Sequence, residues 1–248
     1  MSERSEGTNE HSTRERVSAE QNLSEPSQAG HDRVEREKRI AAEAAAALVQ
    51  DGMTVGLGTG STVAYLLPAL ARRNLSLRCV ASSPHTHHAA LGLGLTVQEF
   101  DTLDHLDITI DGADQVAPDG WLVKGGGAAH TREKIVAAAA DQFIVIVDSC
   151  KLVAALHAPV PVELLEFGLP ATLRRLASAT VRGVPRSPDG GVIADYHGEV
   201  GDPARLAADL SGTPGVVEHG LFPPSLVATV LVGRDDTVER RDLPPPGR

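Results

Sequence analysis

The stretch Thr54-Val55-Gly56-Leu57-Gly58-Thr59-Gly60-Ser61-Thr62 carries the reading of the fold. An apolar strand, Thr54 to Leu57, runs into a glycine turn, and a helix is predicted from about Thr62 to Arg73. Glycines turn the backbone tightly and expose its N–H groups, the helix adds its positive end, and the hydroxyls add donors, so an anion is favoured here. The phosphate-loop Lys is missing, and Ser61 replaces the third Gly of GxGxxG. Taken alone, the same residues also fit an ordinary strand-to-helix turn with a Ser or Thr cap.

Outward from this stretch the pattern alternates. Upstream, Asp32 can cap a helix through VEREKRIAAEAAAALVQ that Gly52 stops. Downstream follow a strand (Leu77 to Ser82), a helix (near His85 to Leu93), a strand (Leu106 to Asp111), a helix (Thr131 to Ala140) and the apolar strand Phe143 to Val147. Strand and helix in alternation predict an α/β fold: a mostly parallel, Rossmann-like open sheet with helices on both faces, its buried strands reading as continuous apolar runs. Past Val160-Pro161-Val162-Glu163 the texture changes to a helix (about Pro170 to Ala177), a strand (Thr180 to Val184), a turn (Pro188 to Gly191), a strand (Val192 to Asp195) and a helix (about Pro203 to Leu210). These predict a smaller α+β insert or lid. The strand Leu226 to Gly233 can rejoin the first sheet. The expected organisation is a disordered extension over 1–31, a main domain of 32–158 with 222–243, a small domain of 159–221 and a frayed tail at 244–248.

Composition narrows the function. The 248 residues carry a net charge of −10, are 42% hydrophobic and 23% charged, and include only seven aromatics (4 Phe, 2 Tyr, 1 Trp). Ala, Val, Leu and Ile must therefore build the core, and the acidic balance argues against nucleic acid as a partner. No apolar run suits a bilayer span or a secretory signal, so no membrane partner and a cytoplasmic location are expected. Cys79 and Cys150 match no metal or redox spacing. Lysine is scarce, with only Lys38, Lys124, Lys134 and Lys151.

Three further segments carry chemistry. Asp111-Gly112-Ala113-Asp114 ends a strand, where open parallel sheets bind ligands, and its two carboxylates can face one cleft; a solvated D-G turn is the plain alternative. In Lys124-Gly125-Gly126-Gly127-Ala128-Ala129-His130-Thr131-Arg132-Glu133-Lys134, three glycines cost backbone entropy but leave room for a ligand against the main chain. Lys124 supplies a positive charge, Thr131 can cap the next helix, and Glu133 is either a charge favouring that helix dipole or a general base tuned upward by burial. Asp148-Ser149-Cys150-Lys151 brings a second Lys to the same edge. His85, His87 and His88 lack a carboxylate or Cys at ligand spacing, so no metal site is expected. Hydroxyls, backbone donors, two Asp, two Lys and one Glu suit a small polyhydroxylated anion, such as a sugar phosphate, undergoing proton transfer beside a carbonyl.

GLGTGST (56–62), DGAD (111–114), KGGGAAHTREK (124–134), DSCK (148–151), PVPVE (159–163) and PGVVEHGLF (214–222) together resemble ribose-5-phosphate isomerase of the A type, over about residues 32–243. The resemblance implies interconversion of ribose 5-phosphate and ribulose 5-phosphate through an enediolate, without metal or cofactor, in the non-oxidative pentose phosphate pathway. It makes Glu133 the proton acceptor. It makes Thr59, Gly60, Ser61 and Thr62 one substrate-binding stretch, Asp111, Gly112, Ala113 and Asp114 a second, and Lys124, Gly125, Gly126 and Gly127 a third. Lys151 becomes a further contact and Lys38 one that reaches the phosphate. Lys124 would stabilise charge on oxygen, and Asp111 or Asp114 would relay protons. A homodimer or homotetramer is expected. The segment RGVPRSPDGGVIAD (182–195) keeps only a loose likeness to the family. The rivals are another sugar-phosphate isomerase or a CoA transferase-like enzyme, disfavoured by the REK around Glu133, and a sugar-phosphate sensor, for which residues 1–30 offer no DNA-binding helix pair.

Overall fold

The computed structural model describes residues 28–244, so residues 1–27 of the expected extension and 245–248 of the expected tail lie outside the described residues. Along the chain run α1 (Gln28–Leu48), β1 (Thr54–Leu57), α2 (Val63–Ala71), β2 (Arg78–Ala81), α3 (Pro84–Gly92), β3 (Leu106–Asp111), β4 (Gln115–Val116), β5 (Leu122–Val123), α4 (His130–Ala138) and β6 (Ala140–Asp148). Then come β7 (Val160–Leu164), α5 (Leu169–Leu176), β8 (Ala179–Val181), β9 (Val192–Tyr196), α6 (Pro203–Ser211), β10 (Val216–His219), β11 (Leu221–Phe222), β12 (Thr229–Arg234) and β13 (Thr237–Asp242).

The main sheet has the order β13-β12-β6-β3-β1-β2 and is parallel except for β13. Side chains alternate across it. Ile108, Ile110, Ile144, Ile146 and Leu231 face the layer of α1 and α2, where Ala41, Ala42, Ala45 and Ala46 let the helix lie close to the strands. Phe143, Val145, Val147, Val230 and Val232 face the opposite side with Ala137 of α4. The apolar strand after Leu226 does rejoin this sheet, parallel to β6. From β1 the chain passes to β2 on one side and then to β3 on the other, so a crevice opens beyond the carboxyl ends of β1 and β3.

A second, antiparallel sheet, β10-β7-β9-β8, lies within residues 160–219 with α5 and α6 beside it. A small third sheet, β11-β5-β4, shares its core residues Val123 and Leu221 with that layer.

Several boundaries differ from expectation. The first helix begins at Gln28, so Gln28 to His31 belong to it rather than to an extension. Asp32 lies inside that helix and accepts from Gln28 Nε2 at 2.9 Å, an i,i+4 pair that supports one more turn. α4 ends at Ala138, and β6 starts three residues before Phe143. β13 was not predicted because its sequence, TVERRD, pairs on one side only and lacks an apolar stripe.

Candidate active site

Loops after β1, β3 and β6 meet at one sheet edge, and the Lys124–Gly127 turn between β5 and α4 joins them. Their centre is a buried trio. Lys124 Nζ lies 3.0 Å from Asp111 Oδ2 and 3.0 Å from Glu133 Oε2, and it also donates to Gly112 O. Asp111 is 1% exposed, and Lys124 and Glu133 are 3% exposed. Lys124 is the only partner that reaches those two carboxylate oxygens among the described residues. Gly58 has to be glycine here, because a Cβ would stand 1.9 Å from the Asp111 carboxyl.

One ammonium serves two carboxylates, and this divides their roles. Burial raises both acids. Asp111 Oδ1, however, also accepts from Thr59 N at 3.0 Å and Gly112 N at 2.7 Å, which favours its charged form. Glu133 has no such backbone donor among the described residues, and burial, opposed by Lys124 and reinforced by Asp111, brings it to about 7. Burial alone would lower Lys124, but the two acids beside it drive it above the ordinary lysine value.

Beside the trio opens a cavity of about 490 Å³ whose lining includes Lys38, Asp114, Gly126, Asp148, Lys151 and Arg182. Its lining stops short of Lys124 and Glu133. Asp114 is exposed, and its Oδ2 accepts from Gly126 N at 2.8 Å. Lys38 comes from α1 and is paired with Glu35 at 2.7 Å. Lys151 is half-buried in a 3-10 turn, whose Ser149 N and Oγ donate to the buried Glu37.

In the first loop Gly60 adopts φ +107, a conformation that favours glycine, Ser61 is exposed and Thr62 is buried. Thr59 Oγ1 lies 3.0 Å from Ser83 Oγ. The expected hydroxyl caps are absent. Thr62 precedes α2 without a side-chain bond to its end. Thr131 sits within the first turn of α4, and its hydroxyl donates to the buried Glu163 at 2.5 Å instead.

Sequence reasoning missed the groups that hold α4. Thr131 is tied to Glu163 of β7, Arg132 makes three bonds of 2.8–3.1 Å to Asp189, and Lys134 reaches Glu218 of β10 at 2.7 Å. It also missed Arg182, whose Nη1 donates to Gly125 O at 3.0 Å and Gly126 O at 3.3 Å while Nε and Nη2 grip Asp195. The only signal for these partners was their charge within strands and turns that otherwise read as scaffold.

Residues 78–237 match the family model of ribose 5-phosphate isomerase A (phosphoriboisomerase A). The chain belongs to the ribose-5-phosphate isomerase A family. The ribose-5-phosphate isomerase A of Natronomonas pharaonis is 45% identical over 84% of this chain and 97% of its own. The structure of ribose 5-phosphate isomerase A from Methanocaldococcus jannaschii matches at 34% identity with a TM-score of 0.78, covering 83% of this chain and 97% of that one. A D-ribose-5-phosphate isomerase in complex with phospho-erythronic acid matches at 35% identity with a TM-score of 0.79, covering 84% and 99%. Among the described residues no helix is long and apolar enough to cross a membrane.

Proposed function

We propose that this ribose-5-phosphate isomerase A family member interconverts D-ribose 5-phosphate and D-ribulose 5-phosphate, with Glu133 as the base that moves a proton between C2 and C1. The observation that carries this reading is the Glu133 carboxyl, 3% exposed and 3.0 Å from Lys124 Nζ, where burial raises it toward neutrality. A phosphorylated sugar acid bound to a related isomerase is in keeping with a substrate of this shape.

In the open-chain aldose, Glu133 takes the proton from C2. The C2–H electron pair forms the C1–C2 double bond, and the carbonyl pair moves onto O1. The charge developing there is stabilised by the Lys124 ammonium and by N–H groups of the triple-glycine turn. A proton passes from O2 to O1, Glu133 returns its proton to C1, and the C2 carbonyl forms. Asp111, held by two backbone N–H groups and Lys124, anchors the charge. Asp114 lines the cavity and serves the substrate oxygens. Lys38 and Lys151 supply the positive charge for the phosphate, with Thr59, Gly60, Ser61 and Thr62 at the start of α2 as donors.

The test is turnover of ribose 5-phosphate in the presence of a chelator. Wild type is expected to be insensitive to chelation, and Glu133→Gln to lose about 10²- to 10⁴-fold in kcat with substrate binding largely kept. A fully active Glu133→Gln enzyme, or wild type silenced by the chelator, would overturn the reading.

A further inference from the structure

One of the cations lining the cleft is held on two sides at once. Arg182, just after β8, is half-buried and lines the cavity, yet Asp195 of β9 holds its Nε and Nη2 in a two-pronged pair. Its remaining nitrogen, Nη1, donates to the carbonyls of Gly125 and Gly126 at 3.0 and 3.3 Å. The first of these carbonyls belongs to the same peptide unit as Gly126 N–H. That N–H donates at 2.8 Å to Asp114 Oδ2.

A single peptide unit is thus gripped at its oxygen by a guanidinium and at its nitrogen by a carboxylate. The chain of bonds runs from Asp195 through Arg182, the Gly125–Gly126 peptide and on to Asp114. In such a chain the charge on one side polarises the peptide and strengthens the bond on the other. The local backbone favours glycine at both positions of this peptide. Gly125 sits at φ +111, where a Cβ would also meet Pro161 at 2.8 Å and His130 Nδ1 at 2.9 Å, and a Cβ on Gly126 would lie 2.8 Å from Asp114 Oδ1.

We propose that Arg182 is a positioning residue for isomerisation: through the Gly125–Gly126 peptide it fixes Asp114 against the reacting oxygens and orients the turn's N–H donors. This rests on the reading of Asp114 as the group that serves the substrate oxygens. Lysine cannot substitute, because a point charge on a flexible stem cannot hold Asp195 and two carbonyls in one plane. The role differs from that of a phosphate ligand, since all three guanidinium nitrogens of Arg182 already have partners in the protein.

The experiment measures kcat and KM for ribose 5-phosphate in wild type, Arg182→Ala, Arg182→Lys, Asp195→Asn and the double variant Arg182→Ala/Asp195→Asn, each checked for a cooperative melt. Arg182→Ala is expected to lose about 10- to 100-fold in kcat with KM within about 3-fold of wild type. Guanidinium at a non-denaturing concentration should restore part of that loss, and Arg182→Lys should recover little of it. The double variant should be no worse than Arg182→Ala, because the two residues act as a unit. Three results would overturn the proposal: kcat unchanged in Arg182→Ala, a rise in KM with kcat intact, or a folded variant that guanidinium does not rescue. Should Arg182→Ala not fold, Asp195→Asn decides, since kcat unchanged there also overturns it. A wild type that does not turn over ribose 5-phosphate defeats the isomerase reading itself, and the Arg182 proposal falls with it.

Discussion

Two acids compete for the ammonium of Lys124, and the competition fixes how the site responds to pH. Glu133, raised to about 7 by burial, is the basic form only above that value. The profile of kcat/KM is therefore expected to climb about tenfold per pH unit below 7 and to level off above it. A profile flat from pH 5 to 8 would contradict the assignment. Lys124→Met removes the one opposing charge, so the acidic limb should move to higher pH and kcat should fall by about 10²- to 10³-fold. For stability the sign is opposite. A carboxyl whose folded pKa lies above its unfolded value stabilises the fold below about 4.5, and that contribution is lost as pH rises toward 7. Glu133 and Lys124 were legible in sequence because glycines and scarce lysines marked their segment. Arg182 and Asp195 were not, since only the β8–β9 pairing brings them together.

At the scale of elements, α4 is what aims Glu133. Its neighbours Thr131, Arg132 and Lys134 each grip the four-stranded sheet or the turn that joins two of its strands, while Glu133 alone turns to Lys124. Glu163 also accepts from Ser187, and a Cβ on Gly191 would lie 2.1 Å from its Oε1, so this acid is enclosed. Glu163→Ala strands two hydroxyls and leaves a cavity. It should cost about 2–4 kcal/mol and lower Tm by about 5–15 °C in thermal melts, with a loss in kcat as well. An unchanged Tm would show that α4 is held otherwise. The parallel strands and their helices were readable because apolar runs and glycine stops mark them. β4, β5 and β11, of two residues each, and the charged edge strand β13 carry no periodicity of their own and exist only through their partners.

Across the whole molecule, the main sheet supplies the loops of the cleft and the antiparallel sheet holds the catalytic segment against them. Their junction contains Phe222, whose ring centre lies 5.4 Å from Lys124 Nζ and 4.9 Å from Lys134 Nζ. Two histidines are buried in the same junction. Burial, together with the nearby Lys134 charge and against the pull of Glu218, lowers His130 and His219 to about 4. Groups lowered in this way bind protons in the unfolded chain first, so the contribution of these two histidines to stability falls as pH drops from 6.5 toward 4, against the opposite trend of Glu133. Relative to wild type, His130→Leu should gain stability as pH drops from 6.5 toward 4 in pH-dependent melts, and a difference that does not change with pH would remove His130 as a contributor. No single motif revealed this junction, because its residues come from segments nearly ninety positions apart.

The most direct measurement is deuterium incorporation during prolonged incubation with ribose 5-phosphate in D2O with chelator present. Proton exchange through a carboxylate predicts deuterium at C1 of ribulose 5-phosphate and C2 of ribose 5-phosphate with wild type, and none with Glu133→Gln. Full equilibration of the two sugars by wild type with no deuterium in either, even after many turnovers, would contradict a proton that passes through an exchangeable carboxyl.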